Sequence, residues 1–496
     1  MLRNILPAIT ESDNSIPDKV IGYVSARGKE SVFDNPKKGL HRSARAYHAK
    51  QKDMDNVRRD LERSGFKILA ESQLGLSVLG EAKQFEELTG GTVRTVEKLV
   101  HTGGDVHEYI THLDITGKNQ PKTLGVGLPK SKSQKIDGIV LEKPRQFHAV
   151  FPSPIPLPSP KYHLNPPNDL AVLLGALKVQ QQEIRGQGVT IAMPDSGWYR
   201  HPYFTANRYN IKTPIVAVPG TDPSKDPVGH GTAQSSNIFA VAPATKLQPI
   251  RSTDSAGNFV ALVTAFLKAK ALAPQIITNS WCSDSQYPPT GGPDEADLSF
   301  AAEVIDAIEN GILVIFAAGN GQFAIEPQIP GVLAAGGVYV DQNGLYRASD
   351  FASGYPSPWF KGVIVPTVCG LCGMQPRPQY LMLPVPAGSQ LDRSASIAVG
   401  GVEGDFTTPD DGWALLSGTS SAAPQVAGAS ALILSAKPGL RPTQVIEALS
   451  RTALDIVVGH SFPQKFNQPA KPGRDNATGW GLIDASAAVE YAKSRF

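Results

Sequence analysis

The stretch Gly418-Thr419-Ser420-Ser421-Ala422-Ala423-Pro424 runs without a charge into a long Ala-rich apolar segment. Small residues leading into a continuous apolar run predict a helix buried on all sides. Pro424 is expected in the first turn, where proline's missing N–H costs nothing. Backbone N–H groups at a helix start favour nearby negative charge, which suits a serine whose attack on a carbonyl creates an oxyanion.

Two further segments supply the partners such a serine needs. Gly188 to Met193 is mostly apolar and leads through Pro194 into Asp195-Ser196-Gly197, a carboxylate at a glycine turn. In an open α/β sheet, functional groups collect beyond the carboxyl ends of strands. Gly229-His230-Gly231-Thr232 then opens a small-residue stretch that can be helical. Histidine is the side chain best suited to accept a proton near neutral pH. His201 and Ser421 are rival candidates; His201-Pro202 reads as structure, and Ser421 is one residue out of register. The order Asp195, His230, Ser420 is one of three known for catalytic triads.

From about residue 169 to its end the chain resembles the subtilisin-like serine proteases, the subtilases. The resemblance rests on Asp195-Ser196-Gly197, His230-Gly231-Thr232 and the Gly-Thr-Ser-x-Ala-x-Pro box around Ser420. It implies a mostly parallel sheet with helices on both faces and a serine endopeptidase that needs no cofactor. A fourth match, Gly311 to Asn320 including Gly319, implies that Asn320 donates to the oxyanion. Ile277 to Cys282 is similar to the strand that pairs with extended substrate, so Ser280, Trp281 and Cys282 are expected in the cleft. Cys282 replaces a common glycine and would narrow the first pocket. Glu326 falls near that pocket's expected floor and would favour a basic side chain. Ala233 replaces a usual histidine, the segment from His230 to Pro243 is shorter than in many secreted relatives, and the loop that holds a tight calcium site there is missing, so no metal ligands are assigned.

The first 150 residues read as strand (19–24), helix (43–64), strand (65–69), strand (76–79), helix (82–88) and a closing strand at 107–110 or 136–141. This is a ferredoxin-like order. Subtilase propeptides share it, so the resemblance implies an inhibitory and folding domain, and a zymogen. Residues 151–168 are dense in proline and read as a semi-rigid linker. The catalytic domain then spans 169–496, with a Pro- and Gly-rich insertion around 356–412.

Composition narrows the class. With 496 residues and 41% apolar content the chain is long enough for two or three domains. A net charge of +2 points to no nucleic-acid partner. No apolar run is long enough to span a bilayer. The basic group Lys37, Lys38, His41, Arg42 and Arg45 reads as a solvated helix face. Three cysteines do not suggest a disulfide framework, and the first residues lack a signal-peptide core, so a cytoplasmic location is expected. Cys369-Gly370-Leu371-Cys372 reads as a local disulfide or two free thiols in a turn. The partners expected are a protein or peptide substrate and the chain's own N-terminal domain. The alternatives are a dedicated maturation protease for one partner or precursor peptide, or a catalytically silent binding module.

Overall fold

The computed structural model describes residues 10–11, 16–34, 43–103, 106–131, 135–144, 146–147, 162–375, 379–397 and 404–496. Residues 151–161 of the proline-rich segment, and Lys37, Lys38, His41 and Arg42, lie outside them. The remainder of that segment is docked rather than free: Leu164 N donates to Tyr380 O at 2.7 Å and Leu164 O accepts from Met382 N at 3.0 Å.

Near the N-terminus, the strands Lys67–Glu71, Gly75–Gly80, Val20–Ala26, Ile136–Leu141 and Val126–Gly127 form an antiparallel sheet in that order. Omitting the short last strand, this is the strand order of a ferredoxin-like unit. Ile136–Leu141 closes the sheet; the region around 107–110 instead belongs to a long hairpin, Thr92–Gly103 with Val106–Thr116. Side chains alternate across the pleat. Val20 and Val24 pack with Val57, Leu61 and Phe85 from the helices Gln51–Arg63 and Ala82–Thr89. Ile21 and Tyr23 face the other way and join Phe266 and Phe300 of the larger domain. The sheet is thus covered by its own helices on one face and by the next domain on the other.

The larger domain is built on a sheet whose central strands are parallel. Asn210–Ile211, Lys246–Arg251, Thr190–Asp195, Ile276–Asn279, Leu313–Ala317 and Leu333–Val340 follow in spatial order, with antiparallel Tyr346–Ala348 at the edge. Its strands are apolar on both faces, as a parallel sheet buried between helices requires. Ile191 and Met193 pack with the helices His230–Val241 and Thr419–Ala436. Ala192, between them, packs with Leu262–Ala271 and Glu295–Glu309.

The segment 356–412 carries more structure than its proline and glycine content suggests. Val368–Leu371 is a strand paired in parallel with Leu333–Val340, and Leu381–Pro384 pairs with Trp413–Leu416. Cys369 and Cys372 therefore belong to the sheet region, not to a turn. Both are free, buried thiols, and burial raises their pKa values above the usual thiol range. A Cβ on Gly337 would come within 2.7 Å of Cys372 Sγ, so the glycine makes room for the thiol.

Candidate active site

Three parallel strands end side by side, and each delivers one group to the same edge of the sheet. Asp195 is the last residue of Thr190–Asp195, Ser280 follows Ile276–Asn279, and Asn320 lies three residues past Leu313–Ala317. A ligand or substrate in an open α/β sheet is met at this edge.

His230 opens the helix His230–Val241 directly after Gly229, whose φ of +91° suits glycine. Its Nδ1 lies 2.7 Å from Asp195 Oδ1, and both side chains are only 1% exposed. With Nδ1–H held by the carboxylate, Nε2 is the basic nitrogen of the neutral ring. The rival His201 caps the short helix Pro202–Ala206, its Nδ1 accepting from Tyr203 N at 3.1 Å. Its ring edge packs on Trp413, and burial lowers its pKa. These roles are structural.

The Ser420 helix, Thr419–Ala436, starts after Gly418 at φ +131°. Pro424 is consequently its sixth residue rather than a first-turn one. The earlier start has a local consequence. Proline has no N–H to give the carbonyl four residues back, which is that of Ser420. Ser280 Oγ donates to that carbonyl at 2.8 Å, and Ser420 Oγ donates to Ser280 O at 3.1 Å. The proline, usually a defect inside a helix, here leaves an acceptor that ties the serine to the neighbouring strand end.

The two helices run side by side in the same direction. Gln425 Nε2 donates to Asn237 Oδ1 at 3.1 Å, and Gly428 packs against Val241. Counting back seven residues from Asn237 reaches His230, and seven from Gln425 reaches Gly418. The register thus sets the histidine beside the start of the serine helix.

Asn320 is fixed from one side. Its Oδ1 accepts from Thr419 N at 2.9 Å and Thr419 Oγ1 at 3.1 Å, which orients the amide. Its Nδ2 is buried and has no hydrogen-bond partner among the described residues. A buried, unmatched N–H donor is costly unless a ligand uses it. Gly319, at φ +110°, donates to Thr419 Oγ1 at 3.2 Å, and a Cβ there would meet Ser353 Oγ at 2.7 Å.

Trp281 behaves differently from the sequence expectation. Its ring is 1% exposed in the core against Phe300 and Phe316, with the indole N–H donating to Pro194 O at 3.0 Å. A large apolar ring gains more from that core than from a cleft. The backbone of Trp281–Cys282 is what faces outward: it pairs antiparallel with Gln146–Phe147, Trp281 opposite Phe147. Cys282 is buried. Glu326 is fully buried, and its Oε2 accepts from Ser283 N at 3.0 Å and Ser283 Oγ at 2.8 Å. The carboxylate therefore anchors the residue following the cleft strand.

Two residues escaped the sequence reading. Thr419 orients Asn320, and Asp226 sits beneath the His230 helix start. Asp226 precedes the N-cap Gly229 by three residues, outside the position where a capping side chain is read from sequence.

An α/β sheet carrying a buried Asp–His pair beside a helix-start serine defines a serine hydrolase architecture. The profile of the subtilase family (peptidase S8) matches residues 186–481. The chain belongs to the subtilase family and is a subtilisin-like serine endopeptidase. Subtilisin DY of Bacillus licheniformis is 28% identical over 64% of this chain and 97% of its own length. Subtilisin Savinase of Lederbergia lenta is 26% identical over 62% of this chain and 92% of its own. The crystal structure of fervidolysin from Fervidobacterium pennivorans, a keratinolytic enzyme related to subtilisin, has a TM-score of 0.55 at 18% identity. That likeness covers 95% of this chain and 61% of the fervidolysin chain, and it concerns the fold.

Proposed function

We propose that this endopeptidase works through Ser420, His230 and Asp195 and is made as a zymogen restrained by its own N-terminal domain. Ser420 Oγ attacks the scissile carbonyl. His230 takes the proton and later gives it to the leaving amine, and Asp195 orients the ring and stabilises its charged form. Asn320 Nδ2 and the Ser420 backbone N–H hold the oxyanion. The observation that carries the reading is the buried 2.7 Å bond between His230 and Asp195 at the sheet edge.

Substrate lies along Ser280, Trp281 and Cys282 as an added strand, with Gly319 across the cleft and Glu326 supporting from behind. Backbone hydrogen bonds give affinity in such a mode and pockets give specificity. The pairing of Gln146–Phe147 with Trp281–Cys282 supports an autoinhibited state, because it engages the backbone that substrate would use. The docking of Leu164 argues for a cut before residue 162. Purified wild type should therefore convert to a catalytic-domain fragment beginning between residues 148 and 162, while Ser420→Ala stays at full length. Intact-mass spectra decide this. Fully active, uncut wild type would remove the zymogen reading.

A further inference from the structure

We infer that Asp226 is a positioning residue that sets the geometry between Asp195 and His230, an inference that rests on the triad assignment above. Asp226 is a second buried carboxylate, 3% exposed. Its Oδ1 accepts from Gly229 N at 2.9 Å and from Ser196 Oγ at 2.8 Å. Its Oδ2 accepts from Thr232 N at 2.9 Å and Thr232 Oγ1 at 2.7 Å. Two of these donors are backbone groups of the helix N-cap and first turn on either side of His230. A third, Ser196, adjoins Asp195 and itself accepts from Gly231 N at 2.8 Å.

One carboxylate therefore joins the strand end carrying the acid to the helix start carrying the base. Its charge suits a helix N-terminus, where N–H groups are otherwise unmatched. Arg251 supplies compensating positive charge close by, and Asp226 is the chief group opposing the fall that burial causes in the Arg251 pKa. The same loop is held from its other side by backbone bonds from Gln390 N to Pro227 O and Leu391 N to Val228 O, both 3.0 Å. Gly229 has no room for a side chain there, since a Cβ would lie 2.6 Å from Ser389 Oγ. Such convergence exceeds what a helix cap needs, and its effect is to fix where the imidazole stands relative to Asp195.

An amide at position 226 would present N–H to at least one existing donor and loosen this joint. A displacement of the order of 1 Å in a catalytic group can cost about 10²-fold in rate. The test uses the full chain, its active sites counted with a fluorophosphonate before kinetics on a fluorogenic peptide. Asp226→Asn should lower kcat per titrated site by about 10²-fold with KM unchanged. Ser196→Ala, which keeps the carboxylate, should lower kcat in the same direction by less. Where Asp226→Asn does not fold, Ser196→Ala decides alone. Fewer titratable sites with wild-type kcat per site would mean that Asp226 holds the fold only, and would overturn the inference. Wild type that neither labels nor cleaves would instead refute the triad assignment.

Discussion

The catalytic edge and the junction between the two domains both bury carboxylates, but they satisfy them in opposite ways. At the catalytic edge, Asp226 is held by backbone N–H groups and hydroxyls of its own domain. At the junction, Glu303 accepts from Tyr23 at 2.6 Å, Ser72 at 2.5 Å and Lys270 at 2.5 Å. Asp306 meets Lys270 and His48, each at 2.6 Å. Tyr23, Ser72 and His48 all come from the N-terminal domain. Departure of that domain would leave the Asp226 network intact; at the junction it would take Tyr23, Ser72 and His48 away from Glu303 and Asp306, which Lys270 still pairs, and it would take Lys143 from Asp294 and Asp297. Glu303 and Asp306 keep a cation of their own domain, and it is removal of the cation from a pair that stays buried that is strongly unfavourable. The Asp226 network thus lies within one domain, whereas the Glu303 and Asp306 networks span two.

Among the groups around the nucleophile, a large effect is expected at Asn320. Asn320→Ala should lower kcat by about 10²–10³-fold, the range that subtilisin itself defines for such a donor, with little change in KM. Steady-state kinetics on a peptide measure it. A wild-type kcat would mean that the unmatched Nδ2 has another use.

Within the N-terminal domain, two buried groups titrate in opposing senses. Burial first of all pushes His112 down to about 4 and Asp137 up to about 6. The native state resists protonating His112, so acidification from pH 6.5 to 4 removes up to about 3 kcal/mol of stability. It favours protonated Asp137, so acidification from pH 6 to 4 returns about 3 kcal/mol. The wild-type domain should therefore change little in stability between pH 6 and 4. Asp137→Asn should expose the histidine and make the domain fall in stability as pH drops. Hydrogen exchange of the full-length Ser420→Ala chain, with and without Asp137→Asn, reads this directly. Equal pH dependence in both would break the opposition.

Much of the edge was legible because its motifs carry glycines with a steric reason. A Cβ on Gly231 would lie 2.1 Å from Gly197 O. The Asp-Ser-Gly and His-Gly-Thr segments can approach closely because neither has a side chain at that contact. The succession of elements in the N-terminal domain was legible from its apolar runs, but which of 107–110 and 136–141 closes the sheet was not. Other features depend on which segments meet in space. The strand Val368–Leu371 was obscured by proline and glycine around it, although its pairing with Leu333–Val340 is ordinary. Trp281 was misplaced because sequence position beside a cleft does not tell which face of a strand a ring takes. The exchange of bonds between Ser280 and Ser420 follows from Pro424 only once the helix start at Thr419 is known. Asp226 needed the fold to bring Ser196 against the His230 helix.

The central claim is that Ser420 is the nucleophile. It is tested most directly by mapping the fluorophosphonate adduct on wild type and on the Ser420→Ala and Ser421→Ala chains. The account predicts one adduct per chain on the Ser420 side chain, its loss in Ser420→Ala together with all peptide cleavage, and its retention in Ser421→Ala. An adduct on Ser421, or cleavage that survives Ser420→Ala, would contradict it.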